Sequence, residues 1–181
     1  QSLSVYSSMS TLSPGDMVKV SDSGIKQTQS LADVTINSTS LSIGTFGSFI
    51  LDFNVNILEN GNRSFLGPRV LIDDGNKTYF IILHDNGILE LATQQNNVFN
   101  SAMISRFVGY KLHDPTNSIN VKVVRVFDEV MVYIQDNLYM TFTTTPKVAK
   151  VYLTSEKSTS AFSKINITRD SSIILFAIRQ N

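Results

Sequence analysis

The chain has 181 residues, fifteen Lys and Arg against fifteen Asp and Glu, and neither cysteine nor tryptophan. The balanced charge provides no positive field to hold nucleic acid or anionic lipid, and the missing thiols exclude both disulfides and thiolate metal sites. The length suits one hydrophobic core.

From Gln1 to Gly15 there is no charged residue. Leu3, Val5 and Met9 alternate with Ser4 and Ser8, with the small Ser7 between Val5 and Met9 on the same face. Residues 1–15 therefore read as a strand-like arm with one apolar edge, set off by Ser13-Pro14-Gly15 from a single sandwich domain over 16–181. A strand without charge or proline is hazardous unless paired. The arm is expected either to tuck into its own sheet or to complete the sheet of a neighbouring copy. A start at Gln1 suits a mature product from which a signal peptide has been removed.

The dominant period downstream is two. Phe49, Leu51, Phe53, Val55 and Ile57 alternate with Ile50, Asp52, Asn54 and Asn56, the pattern of a strand with one buried face. The stretch from Leu58 to Ser64 has no period and reads as a turn, and a second strand runs from Pro68 to the turn at Asp73-Asp74-Gly75-Asn76. Strands at 78–84 and 88–93 flank Asp85-Asn86-Gly87, a strong hairpin signal. A meander follows: 119–127, a turn at Asp128-Glu129, 130–135, a turn at Asp136-Asn137, and 138–144. Further strands are expected at 148–154, 162–168 and 172–179. The longest apolar run, Ile173 to Ile178, falls far short of the ~20 residues of a spanning helix. About a dozen short strands without helical periodicity predict an all-β, two-sheet antiparallel β-sandwich of jelly-roll form.

Four pieces, Phe49 to Val55, Asp73 to Phe80, Asn120 to Val124 and Val130 to Asn137, resemble the concanavalin A-like and laminin G-like jelly rolls. Asn137 stands where that family usually has glycine in its strand-turn element. The resemblance implies the fold, which hosts lectins, glycosidases, adhesion modules and structural subunits alike. In size, low charge and sequon density the chain also resembles thread-like extracellular filament subunits of archaea.

Asn37, Asn62, Asn76 and Asn166 each begin an Asn-x-Ser/Thr sequon and are candidate glycosylation sites of an exported protein. Asp73, Asp74 and Asn76 offer hard oxygen ligands that could hold calcium, the one metal the sequence suggests. The glucanases of this fold carry a Glu-x-Asp-x-(x)-Glu run, and the chain has none. It also lacks Gly-x-Ser-x-Gly, and His84 and His113 lie outside any ligand spacing. Tyr110, Tyr133, Tyr139 and Tyr152 are the aromatic candidates for stacking on a sugar.

These readings predict a secreted, non-enzymatic surface-filament subunit, joined head to tail with other copies through its N-terminal strand, with no cofactor beyond calcium and no membrane span. The alternative is an extracellular module of the laminin G-like type that binds glycans or proteins.

Overall fold

A computed structural model describes residues 17–21, 24–28, 33–36, 40–60 and 67–169. The strands are β1 (Met17–Ser21), β2 (Gly24–Thr28), β3 (Asp33–Ile36), β4 (Ser40–Phe46), β5 (Phe49–Asn60), β6 (Pro68–Asp73) and β7 (Thr78–Leu83). They continue with β8 (Ile88–Gln95), β9 (Val98–Arg106), β10 (Ile119–Val126), β11 (Glu129–Ile134), β12 (Asn137–Thr143), β13 (Ala149–Ser155) and β14 (Ser158–Thr168). One sheet has the order β12-β11-β10-β5-β14-β1-β2-β3 and the other β4-β13-β6-β7-β8-β9. Every strand pairing is antiparallel. The chain is the predicted all-β jelly-roll sandwich.

The period-two pattern explains the layers. Phe49, Leu51, Phe53, Val55 and Ile57 of β5 point inward and are fully buried; Val70, Ile72, Ile81, Leu83 and Leu89 meet them from the six-stranded sheet. Phe53 and Phe162 pack with ring centroids 5.6 Å apart. Burying such a side chain stabilises the fold by roughly 1.5–3 kcal/mol.

Several boundaries differ from expectation. Leu58 and Glu59 continue β5 and do not form a turn, because Glu59 and Asn60 pair with Thr159 and Ser158 of β14. That pairing also starts β14 four residues before Phe162. The β10–β11 turn sits at Phe127-Asp128, with Phe127 at φ 56° and its N–H donating to Ser48 Oγ at 2.9 Å. The next turn is Gln135-Asp136, both with positive φ, so Asn137 begins β12 and does not occupy the turn. β1 to β4 and β9 were not anticipated. The Asn86-Gly87 hairpin is present as predicted: the His84 N–H donates to the Ile88 carbonyl at 2.9 Å, with Gly87 at φ 87°.

The arm at 1–15 with Leu3, Val5, Ser7 and Met9, the expected strand at 172–179, and Asn37 and Asn62 lie outside the described residues. Among the described residues no helix is long and apolar enough to cross a membrane.

Candidate functional site: a pocket on the outer face of the six-stranded sheet

Residues that alternate with the core on β6, β7, β8 and β9 face away from it, and the strand register arranges them in rows. One row reads Thr154, Arg69, Ile82, Glu90 and Ile104 from β13 to β9; the next reads Tyr152, Leu71, Phe80, Ala92 and Ser101. A third continues through Thr78, Gln94 and Phe99. A pocket of about 570 Å³ opens over these rows, with Phe80, Ile82, Gln94 and Phe99 among its walls.

Its polar groups are held in one ion pair and one imidazole–carboxylate hydrogen bond. Arg69 Nη1 lies 3.1 Å from Glu156 Oε2, and His84 Nε2 lies 2.8 Å from Glu90 Oε1. Arg69 and His84 are only 5% and 6% exposed, although both belong to the outward face. Side chains so deeply set lose little mobility when a ligand binds. Burial raises the Glu90 pKa, but hydrogen bonds from Ser101 and His84, with the charges of His84 and Arg69, outweigh it and leave the carboxyl below its ordinary value. Glu90 is thus an ionised acceptor at neutral pH and is not poised as a proton donor. The rings of Phe80 and Phe99 meet edge to face, 5.3 Å apart.

Fixed acceptors and donors beside an aromatic and aliphatic wall form a site that can hydrogen-bond hydroxyls and pack against a C–H face. Among the four tyrosines singled out from the sequence, Tyr152 alone stands on this sheet face. Tyr133 is buried with Val124, Val126 and Met131 on the outer face of the other sheet. Tyr110 accepts a hydrogen bond from Asn137 Nδ2 at 2.9 Å, and Tyr139 packs edge-on against Phe107.

The Asp73-Asp74-Gly75-Asn76 turn lies elsewhere and uses its carboxylates on itself. Asp73 Oδ1 accepts the Gly75 N–H at 2.8 Å, and Asp74 Oδ1 accepts those of Asn76 and Lys77 at 2.9 and 2.7 Å. Burial acts to raise the Asp74 pKa, and these N–H groups, with Thr145 and Lys147, bring it below the usual value. Among the described residues no three His, Asp or Glu side chains gather where a metal could sit. Asn76 and Asn166, the sequon residues within the described regions, are both exposed, the first in this turn and the second on β14. His113 forms a bridge with Ile57 away from the pocket. The neighbouring Asp114 carboxylate is lowered to about 2 by the backbone and hydroxyl of Thr116 and by Asn117.

Sequence reasoning missed Arg69, Glu90, Phe80, Phe99 and Glu156. The available signal was a charge set inside each of two apolar stretches, Arg69 beside Val70-Leu71-Ile72 and Glu90 in Ile-Leu-Glu-Leu-Ala.

No family model and no curated protein matches the chain. Solved structures do. The carbohydrate binding module CBM66 from Bacillus subtilis is similar at a TM-score of 0.59 and 12% identity, over 83% of this chain and 99% of that one. The galectin LEC-6 of Caenorhabditis elegans is similar at a TM-score of 0.54 and 8% identity, over 73% and 92%. A glycosidic hydrolase is similar at a TM-score of 0.51 and 10% identity, over 86% and 78%. At such identities the likeness is one of fold, and that fold is the jelly roll of concanavalin A-like and laminin G-like proteins, in binding modules and enzymes alike.

Proposed function

We propose that the chain is a carbohydrate-binding domain that takes an uncharged saccharide in the pocket over β6–β9 and does not cleave it. The observation that carries this reading is the pair of deeply set side chains, Arg69 and His84, each fixed by a glutamate beside the Phe80–Phe99 wall. Two glutamates against one arginine disfavour an anionic sugar. Both carboxylates are already engaged, Glu156 with Arg69 and Glu90 with His84, and Glu90 is held ionised, which suits binding better than general acid catalysis. The fold shared with a carbohydrate binding module and a galectin is consistent with this choice.

Placement outside the cell belongs to the same proposal and is supported by the exposed sequon residues Asn76 and Asn166. Assembly into a filament by N-terminal strand donation has no support among the described residues, since the arm lies outside them.

The test is a titration of the isotope-labelled chain with a panel of neutral mono- and disaccharides, followed by amide shifts. Shifts should cluster at Arg69, His84, Glu90 and Phe99. Phe99→Ala should weaken the best ligand several-fold, since an aromatic contact contributes about 0.5–1.5 kcal/mol. Shifts confined to another face, or none at millimolar saccharide, would remove the pocket reading.

A further inference from the structure

β9 ends the six-stranded sheet, so among the described residues no strand pairs with its second row of backbone N–H and C=O groups. Edge strands are ordinarily protected by lysine, proline or a covering segment. From Val98 to Ser105 there is neither charge nor proline. Val98 is 56% exposed, Phe99 51%, Met103 39% and Ile104 64%.

The strand also carries a bulge. Leu91 stands opposite Met103 and Ala92 opposite Ser101, so Ala102 has no opposite residue. In an unbroken strand Phe99 and Ile104 would point to opposite faces, because an odd separation reverses direction. The extra residue restores them to one face: Phe99 pairs with Gln94 and Ile104 with Glu90, both outward. Bulges often protect an edge from pairing. Here the bulge makes the edge complementary to itself.

Two copies joined about a two-fold axis perpendicular to the sheet must oppose residues of the same face. A register centred between Ser101 and Ala102 satisfies this. It sets Phe99 against Ile104 of the second copy and Ile104 against that copy's Phe99, with Asn100 against Met103 and Val98 against Ser105. Apolar residues meet twice on the outward face, and no like charges are opposed. We propose that β9 is a homodimerisation edge, pairing antiparallel with β9 of a second copy in this register. The two six-stranded sheets then continue into one, and both pockets open on the same side. If the pockets bind saccharide, the dimer is bivalent for a surface that displays many glycans; the dimer itself does not depend on that reading.

The cysteine-free sequence permits a direct test of the register. In the full chain, Asn100→Cys combined with Met103→Cys should give a disulfide-linked dimer on mild oxidation. Because the bulge sets residues 100 and 103 opposite Thr93 and Leu91, the two cysteines of one strand are about 7 Å apart, at the limit for a bridge, so only a product of dimer mass counts as support. Asn100→Cys alone should stay unlinked, since residue 100 does not oppose itself. By sedimentation the wild-type chain should approach twice its 20.1 kDa mass at high concentration. Ala102→Lys, at the exposed bulge, should raise the dimer dissociation constant by about tenfold or more while keeping the wild-type melting curve at concentrations where both chains are monomeric.

A monomeric wild type, or cross-linking by Asn100→Cys alone equal to that of the double variant, would overturn the proposal. So would association that survives Ala102→Lys but is lost in Val5→Asp, since the occupant would then be the N-terminal arm. Saccharide titration of the Ala102→Lys monomer separates the two readings: retained binding with lost dimer supports both, and a dimer without binding removes the glycan reading alone.

Discussion

Replacing Glu90 by Gln keeps the shape of the side chain and removes its charge, so it isolates what the carboxylate contributes. In the folded chain Glu90 accepts from His84 Nε2 at 2.8 Å, and its side chain is 18% exposed. A hydrogen bond to a charged group contributes about 1.5–3 kcal/mol when sheltered, and an exposed ion pair about 0–1. A partly sheltered pair therefore contributes on the order of 1 kcal/mol. Since the folded pKa lies below the ordinary 4.5, this stability is fully present above the unfolded value. It is lost as pH falls through the lowered folded value, where native and unfolded chains both bind the proton. Urea unfolding at pH 7 should show wild type more stable than Glu90→Gln by about 1 kcal/mol. The difference should shrink steadily below about pH 4.5. A gap that is constant from pH 7 to pH 3, or one that widens below about pH 4.5, would refute the assignment of Glu90 as a stabilised anion.

Arg125 is fully buried, and its fork reaches Thr144 Oγ1 at 3.0 Å, the Thr145 carbonyl at 2.8 Å and the Gly47 carbonyl at 3.1 Å. Arg125→Lys keeps the charge but cannot span both sides, so equilibrium unfolding should show a loss of roughly 2–4 kcal/mol, and a loss under 1 kcal/mol would count against the fork. Gly87 turns the hairpin that places His84, and a Cβ there would approach the Phe107 carbonyl oxygen to 2.9 Å at a φ of +87°. Gly87→Ala should lower stability by about 1–3 kcal/mol and weaken saccharide binding with it, which unfolding and titration together would measure. Because Asp73 and Asp74 already cap their own turn, added calcium or a chelator should leave the melting temperature unchanged; a calcium-dependent rise would instead mark the turn as a metal site.

The fold was legible wherever one strand face is buried and the other wet. β5 shows this most clearly: five apolar residues at period two became five core residues, while β6, β7 and β8 were located by the turns that bound them. Legibility failed where that contrast vanishes. β9 has no buried face, its residues being almost all exposed, and its bulge interrupts what alternation remains. Turn positions slipped by one residue at Phe127 and Gln135 because non-glycine residues there accept positive φ, a choice that side-chain chemistry does not announce. Turn positions with glycine were easier to read, and the Asp73-Asp74-Gly75-Asn76 turn lies where the sequence placed it, capped by its own carboxylates.

The pocket was illegible for a different reason. Its polar members come from β6, the end of β7, β8 and the turn after β13, so Arg69 and Glu156 lie far apart in sequence and meet only through the β13–β6 register. Period-two analysis sorts residues into inward and outward sets, and the inward set identifies the fold. It says nothing of which outward residues become neighbours, because that depends on pairing across strands. The structural likenesses at 8–12% identity are limited in the same way: a jelly roll can preserve its inward alternation while every outward residue changes. Specificity must therefore be argued from the outward rows themselves. In this chain those rows set two buried cation-bearing or imidazole side chains against glutamates beside a phenylalanine wall, at the margin of an uncharged sheet edge.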